Sequence, residues 1–510
     1  MPKHRGQAPT KQTAEPGWRI REHLQEPERQ TPRPGAFAGQ RLFFRSGGFR
    51  QDTFQGGLLC WHFTRSARLP VFWQRLLYTV TMYLLTPVIV YRLAWRGLRY
   101  RDYFGRWKER FGFFPDPNIN QSIWVHAVSV GEVNAALPLI EAMMKRFADT
   151  RIVVTTVTPT GSARTLKLFN DRVFHVYLPY DLPASIDRFL DRIKPKMAVI
   201  METEIWPNLY HLCEKRGIPI LIANARLSER SLRGYGPVRP LARAAVRSVA
   251  QLAVQSKQDA ERLLRLGAMP ERLVITGNVK FDMPVPSGLE RIGKVLREYW
   301  GEPRPVWIAA STHEGEEARV LEAHARVLRR FPDALLVIAP RHPERFRPVQ
   351  QICKGYGFRT LCRSEDTVAH HDTQCFVVDT LGELLNFFAA CDVAFVAGSL
   401  DPIGGHNVLE PAALAKPVLV GPHTFNFEQI TENLINDGAA IRIQDSASLG
   451  DAALRLLADR DLRLKMGHQA LLAVERERGA VKRTIDLIEA VLHPGVRRAE
   501  SVSVGPGHQS

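Results

Sequence analysis

The chain is poor in cysteine. It has six among 510 residues (Cys60, Cys213, Cys353, Cys362, Cys375 and Cys391), with no C-x-x-C pair and no regular spacing. That excludes a disulfide-stapled fold and a thiolate zinc site, and it suits a reducing compartment. The H-x-x-E-H pattern of zinc enzymes is missing as well, and no matching acid follows His370 and His371, so no metal is expected. No short-period repeat is present, and no small-residue cleavage site follows a clean apolar run, which argues against a solenoid and a secretory signal peptide. Acidic residues are scarce at one end. Residues 1–113 carry 20 Lys and Arg against 7 Asp and Glu, which leaves only +4 of the net charge of +17 to the rest. A body so nearly balanced argues against a broad nucleic-acid surface on the folded part.

Long apolar runs are absent but for one, Leu69 to Tyr91, interrupted by Arg75. Its uncharged part, Leu76 to Tyr91, would be about 24 Å long as a helix, short of a hydrocarbon core of roughly 30 Å. Trp73, Tyr78, Tyr83, Tyr91 and Trp95 suit an interfacial belt. Arg92, Arg96, Arg99, Arg101, Arg106, Lys108 and Arg110 form a basic collar after it. A membrane-associated helix is expected, either spanning or lying in the interface, with the body on the cytoplasmic side in both cases. Residues 1–68 and 493–510 are expected to be disordered tails, the first of them basic and rich in Pro, Gly and Gln.

From Ser122 onward, β-branched runs alternate with helical patterns. The first set is 122–130, 151–158, 174–179, 196–202, 218–225 and 251–256; the second is 305–312, 334–341, 374–379, 393–398, 417–422 and 439–443. This is the pattern of parallel sheets covered by helices on both faces. Between the sets lies a Pro-rich stretch with a helical middle. The reading is an α/β protein of two doubly wound domains in tandem, 114–283 and 305–492, joined by a linker at 284–304. An anchor and collar at 69–113 precede them, and the last helix may cross back to the first domain.

Ligands of such sheets bind beyond the carboxyl ends of the strands. There the first domain offers Glu132, Glu202, Glu204, Asn224, Arg226, Asn278, Lys280 and Asp282. The second offers Ser311 to Glu314, Arg341, His342, Gly382, Glu383 and the stretch SLDPIGGHNVLEPAALAKPVLVGP (399–422). In that stretch the Gly404–Gly405 pair is expected to lead into a helix opening at His406 and Asn407, with Glu410 in its first turns. Exposed amides and the helix dipole would favour a phosphate there, and Glu410 could accept from a sugar diol beside it. The same residues also fit an ordinary β-α-β unit whose glycines only turn the chain.

Several stretches together carry a family resemblance: WVHAVSVGE (124–132), TTVTPTGS (155–162), YLPYDLP (177–183), METEIWPNL (201–209), IANARLSERS (222–231), TGNVKFD (276–282), APRHPERF (339–346), DTLGELL (379–385) and GGHNVLEPAA (404–413). In this order they resemble the bacterial 3-deoxy-D-manno-octulosonic acid (Kdo) transferases of lipopolysaccharide synthesis, from about residue 76 to near 490. The resemblance implies a type B glycosyltransferase with two Rossmann-like domains facing a cleft. It would move Kdo from CMP-Kdo onto a lipid A precursor, with inversion and without a cofactor, at the cytoplasmic side of the Gram-negative inner membrane. Its partners would be CMP-Kdo, that lipid and the membrane, with no nucleic acid. Residues 1–70 lie outside the resemblance.

By the resemblance Glu132 would be the proton acceptor, and Glu202 and Lys280 would stabilise the transition state, with Glu204 a competitor for the role of Glu202. CMP would be bound by Pro340, Arg341, Leu381, Gly382, Glu383, Asn407, Val408, Leu409 and Glu410. Two other classes stay open at this stage. One is a different sugar-nucleotide transferase or epimerase of the same architecture. The other is a non-catalytic basic membrane scaffold.

Overall fold

The computed structural model describes residues 70–99, 101–365 and 369–493; the tails expected at 1–68 and, apart from His493, at 493–510 lie outside these residues. The first lobe is built on β1 (Ser122–His126), β2 (Arg151–Thr156), β3 (Phe174–Tyr177), β4 (Pro195–Met201), β5 (Ile220–Ala225), β6 (Gln251–Val254) and β7 (Leu273–Ile275). All neighbours are parallel, in the order β3-β2-β1-β4-β5-β6-β7. The second lobe has β8 (Val306–Thr312), β9 (Leu335–Pro340), β10 (Thr360–Cys362), β11 (Cys375–Val377), β12 (Val393–Val396), β13 (Val418–Val420) and β14 (Ala440–Arg442). They too are all parallel, in the order β10-β11-β9-β8-β12-β13-β14.

The strands are continuous apolar runs because both faces of each sheet are covered. All of β1 is buried, and Trp124 on it donates its Nε1–H to Thr155 Oγ1 at 2.8 Å. The helix Val130–Arg146 that follows buries Val133, Ala136, Leu139, Ile140 and Met143, one stripe at helical spacing. The edge strands β7 and β10 were not expected. Each has three residues, too few to show a period, and each is held by pairing with β6 or β11.

Three segments differ from a simple tandem. Residues 284–304 carry the helix Leu289–Trp300, whose Trp300 is buried and stacks on Phe387 with ring centroids 6.4 Å apart, so this stretch packs on the second lobe. The last helix, Ala480–Leu492, returns to the first lobe, where Ala480, Ile485 and Ile488 share a core with Val133 and Leu139. The turn Val279–Asp282 spans the two lobes: Val279 lies in that first-lobe core, while Phe281 packs with Val396, Val408 and Val420 of the second.

The apolar run forms one unbroken helix, Val71–Arg99, continuing through Arg75 and Pro87. It is the one described helix long and apolar enough to cross a membrane. Its less exposed side includes Tyr78, Thr79, Met82, Thr86, Leu93 and Gly97. Thr79 donates to Asn208 Oδ1 at 2.9 Å, and Tyr78 stands beside the buried carboxylate of Asp181, which accepts from the N–H groups of Asn208 and Leu209. The opposite side exposes Trp73, Leu77, Leu84, Val88, Tyr91 and Trp95. Two members of the expected collar are part of the lobe instead. Arg110 is buried, donates to Val157 O at 2.8 Å and lies 4.2 Å from the Tyr177 ring centre, and Arg106 donates to His175 O at 2.7 Å.

Candidate active site

Chain order reverses between β1 and β4 in the first sheet and between β8 and β12 in the middle of the second, whose far edge also has β10 outside β11. Crossovers leave such a pair of strands to opposite sides and open a crevice at their carboxyl ends. Glu132 stands just after β1, and Glu202 and Glu204 just after β4. His313 follows β8, and the loop 398–408 follows β12.

Glu132 lies in the first turn of its helix, with its carboxylate turned back to accept Val128 N–H at 2.9 Å and Ser129 Oγ–H at 3.3 Å. Burial, with added repulsion from Glu202 and Glu204, pushes its pKa up to about 7, against the lowering effect of the Val128 and Ser129 hydrogen bonds. Glu202 has a left-handed backbone, φ 58°, immediately after β4, and its carboxylate is 3.9 Å from Arg226 Nε. A non-glycine residue held there is strained, a condition concentrated at functional sites. Burial, with added repulsion from Glu202, raises the pKa of Glu204.

Lys280 joins this group from the interlobe turn. Its backbone N–H is held by Asn278 Oδ1 at 3.0 Å, and Asn224 Oδ1 accepts the next amide back, Val279 N–H, at 3.1 Å. Burial lowers its pKa, whereas the charges of Glu202 and Glu132 act to raise it. The ammonium also lies 4.9 Å from the ring centre of Phe427, a second-lobe residue. Glu132, Glu202, Glu204 and Lys280 therefore feel one another across a single patch, on the side of the first lobe that meets the second.

In the second lobe Pro340 ends β9, and the Arg341 N–H donates to Thr312 O at 3.0 Å. The Arg341 guanidinium is exposed, and its charge acts on His313, His406 and Glu410, and on Arg164 of the first lobe, so it faces the cleft. His313 and His406 meet Nε2 to Nε2 at 2.8 Å with their rings within 1° of parallel, and His342 stands edge-on to His313. Burial, and then the neighbouring His313 and Arg341, push His406 down to about 4.

The loop carrying the glycine pair differs from expectation. No helix opens at His406 and Asn407. The helix is the single turn Leu409–Ala413, too short for a useful dipole, and Gly404 (φ 109°) and Gly405 (φ 75°) lie in a loop. Asn426 pins that loop: its N–H donates to Gly404 O at 2.9 Å and its Nδ2 to Ile403 O at 3.2 Å. Asn407 donates to Glu410 Oε1 at 3.1 Å and accepts Leu409 N–H at 3.2 Å, so one oxygen of the half-buried Glu410 carboxyl is already engaged. Val408 and Leu409 are buried and contribute packing.

Leu381, Gly382 and Glu383 follow β11, two strands from β8. Leu381 is exposed, and Glu383 accepts from Arg363 at 3.1 Å and from Thr380 Oγ1. Among the described residues no hydrogen bond or ion pair joins 381–383 to 407–410; the two segments share only the carboxyl edge of the sheet. No group of three or more His, Cys, Asp or Glu side chains among the described residues could hold a metal.

Sequence reasoning noted His313 and His406 as strand-end neighbours but missed their pairing, and it missed Glu316 altogether. Glu316 is buried in the first turn of Glu316–Arg330. In sequence it reads as a helix-opening acid like any other, and the segment it contacts lies some eighty residues on.

Comparison with known proteins places this geometry. Residues 105–283 match the family model described as 3-deoxy-D-manno-octulosonic-acid transferase (kdotransferase). A 3-deoxy-D-manno-octulosonic acid transferase of Haemophilus influenzae is 39% identical over 428 residues, 83% of this chain and 100% of that protein. One of Bordetella pertussis is 36% identical over 431 residues, 81% of this chain and 98% of that one. UDP-GlcNAc 2-epimerase from Neisseria meningitidis shares the fold, with a TM-score of 0.50 at 14% identity, over 72% of this chain and 99% of that one. With paired parallel sheets, a cleft at their switch points and this identity over nearly the whole length of two relatives, the chain belongs to the 3-deoxy-D-manno-octulosonic acid transferase family of type B glycosyltransferases.

Proposed function

We propose that the chain transfers Kdo from CMP-Kdo to a hydroxyl of a lipid A precursor in lipopolysaccharide synthesis, with inversion and with Glu132 as general base. The observation that carries the reading is the carboxyl of Glu132, poised at about 7 at the first-lobe switch point beside Glu202 and Lys280. A base with its pKa near the working pH combines availability with proton affinity. In the step, the acceptor oxygen bonds to the anomeric carbon as its proton passes to Glu132. The bond from that carbon to the CMP phosphate breaks, and CMP leaves with the electron pair. Lys280 and Arg341 offset negative charge on the donor carboxylate and the leaving phosphate, and Glu202 offsets positive character at the anomeric carbon. Pro340, Leu381, Gly382, Glu383 and Asn407 to Glu410 form the CMP side. The step as written uses no cofactor.

The helix Val71–Arg99 supports a monotopic membrane association at the cytoplasmic side of the inner membrane. Its less exposed stripe recurs from Tyr78 to Gly97, a rise of about 29 Å, and its N-terminal half is hydrogen-bonded to the lobe. A helix tied to the lobe at one end and exposing an apolar stripe along the other side suits one leaflet. The test is turnover: purified protein, CMP-Kdo and a lipid A precursor in detergent should release CMP and yield Kdo-lipid by mass spectrometry. No product with this acceptor, or equal turnover with UDP-sugars, would refute the reading.

A further inference from the structure

The two arms of the second-lobe switch point are tied together by one side chain. Glu316 has no exposed surface. Its Oε2 accepts Gly398 N–H at 2.7 Å and His313 N–H at 3.1 Å, and its Oε1 accepts Leu400 N–H at 2.9 Å and Ser399 N–H at 3.0 Å. Four backbone donors from two segments thus fill the lone pairs of one carboxylate. His313 stands just past β8, and 398–400 just past β12, where the sheet ladder has ended and no strand partner is left to hold these amides.

The anchored segment in turn sets its neighbours. Gly398 O accepts Gly405 N–H at 2.6 Å, Ser399 Oγ accepts Gly421 N–H at 2.8 Å, and Ser399 O accepts His423 N–H at 2.9 Å. Gly398 has φ 68°, and a Cβ there would come within 2.7 Å of the His406 ring, so the path of this backbone decides where His406 sits. His406 closes the circuit by pairing with His313. The Gly405 and His406 links run through the loop that carries Asn407 to Glu410.

We propose that Glu316 is the positioning residue of the donor pocket: its carboxylate sets the backbone of 398–400 and thereby the placement of the loop 404–410 opposite Arg341. It touches no substrate. The proposal rests on the donor reading of this lobe. Glu316→Gln keeps the shape but turns an amide NH₂ toward backbone donors, so the loop must shift. Glu317→Gln is the control, because Glu317 is equally buried on the same helix but faces Arg345, with Oε2 at 3.3 Å, and not the loop.

The experiment measures CMP affinity by calorimetry, KM for donor and for acceptor, and melting temperature, for the full-length protein and each variant. Glu316→Gln should weaken CMP and raise donor KM by at least about tenfold, with acceptor KM within about twofold, while Glu317→Gln lowers the melting temperature alone. Glu316→Asp, which withdraws the carboxylate by one methylene, should give the same split to a smaller degree, and it decides the matter should the Gln variant not fold. Unchanged CMP affinity in the folded Glu316 variants, or equal losses with Glu317→Gln, would overturn the proposal. Failure of the wild-type protein itself to bind CMP would instead overturn the donor reading, whatever Glu316 does.

Discussion

Replacing Glu132 with Gln separates the catalytic account of this residue from a structural one, because the two make opposite demands on stability. In the fold its carboxyl is raised from 4.5 to about 7, chiefly by burial. Between those values the native state holds a proton that the unfolded chain has released, so this group makes the fold less stable as pH rises through the window, and the loss is complete above about 7. The full difference corresponds to ~3 kcal/mol, and partial solvent contact reduces it to ~1–2 kcal/mol. Gln has no charge to desolvate. It can still accept Val128 N–H, so at pH 8 the variant should melt a few degrees above wild type, and at pH 4.5 the difference should vanish.

Activity should move the other way, falling by about 10²–10⁴-fold, the usual worth of a positioned general base. In the wild type, kcat/KM should rise with pH and level off above about 7. Differential scanning calorimetry at the two pH values and a discontinuous CMP-release assay supply the measurements. Near-wild-type turnover by the Gln variant would remove Glu132 from the mechanism. A stability change of the same size at both pH values would show that the carboxylate is not carrying a desolvated charge.

Arg341→Lys should weaken CMP binding about tenfold by exchanging a planar fork of donors for a point charge, and calorimetry showing an unchanged dissociation constant would place the phosphate elsewhere. Lys280→Met should lower kcat by about 10² or more with a much smaller change in CMP affinity, as befits a charge used mainly in the transition state; a loss confined to KM would contradict this. Tyr78→Phe should cost about 1–2 kcal/mol in urea unfolding, because the buried Asp181 carboxylate loses the polar hydroxyl beside it, yet leave sedimentation with anionic vesicles intact. The pair Leu77→Glu and Leu84→Glu, on the exposed stripe, should do the reverse; vesicle binding that survives it would move the membrane contact to another surface.

Much of this architecture was legible along the chain. Runs such as RIVVTT and VWIAAS are apolar without alternation because a strand covered on both faces has no polar side, and helices such as Val130–Arg146 show their buried stripe in the spacing of their residues. The apolar segment, its aromatic residues and the basic surplus around it were equally plain, as was the family by its ordered motifs. All of these are properties of neighbours in sequence, which is why the chain by itself settled them.

Other features arose only when distant segments met. The three-residue strands β7 and β10 exist through their pairing partners, and the helix expected at His406 yielded to a loop because Asn426 takes the carbonyls of Ile403 and Gly404 ahead of it and the Asn407 side chain takes the N–H of Leu409. Only the folded chain brings Lys280 from the interlobe turn to Glu132 and Glu202, pairs His313 with His406, builds Arg110 into the lobe and lays the apolar helix along it. The physical reason is that period and composition report which surfaces must be buried. Which buried surface meets which, and hence how far each carboxyl is desolvated, is set by hydrogen bonds and packing between residues tens to hundreds of positions apart.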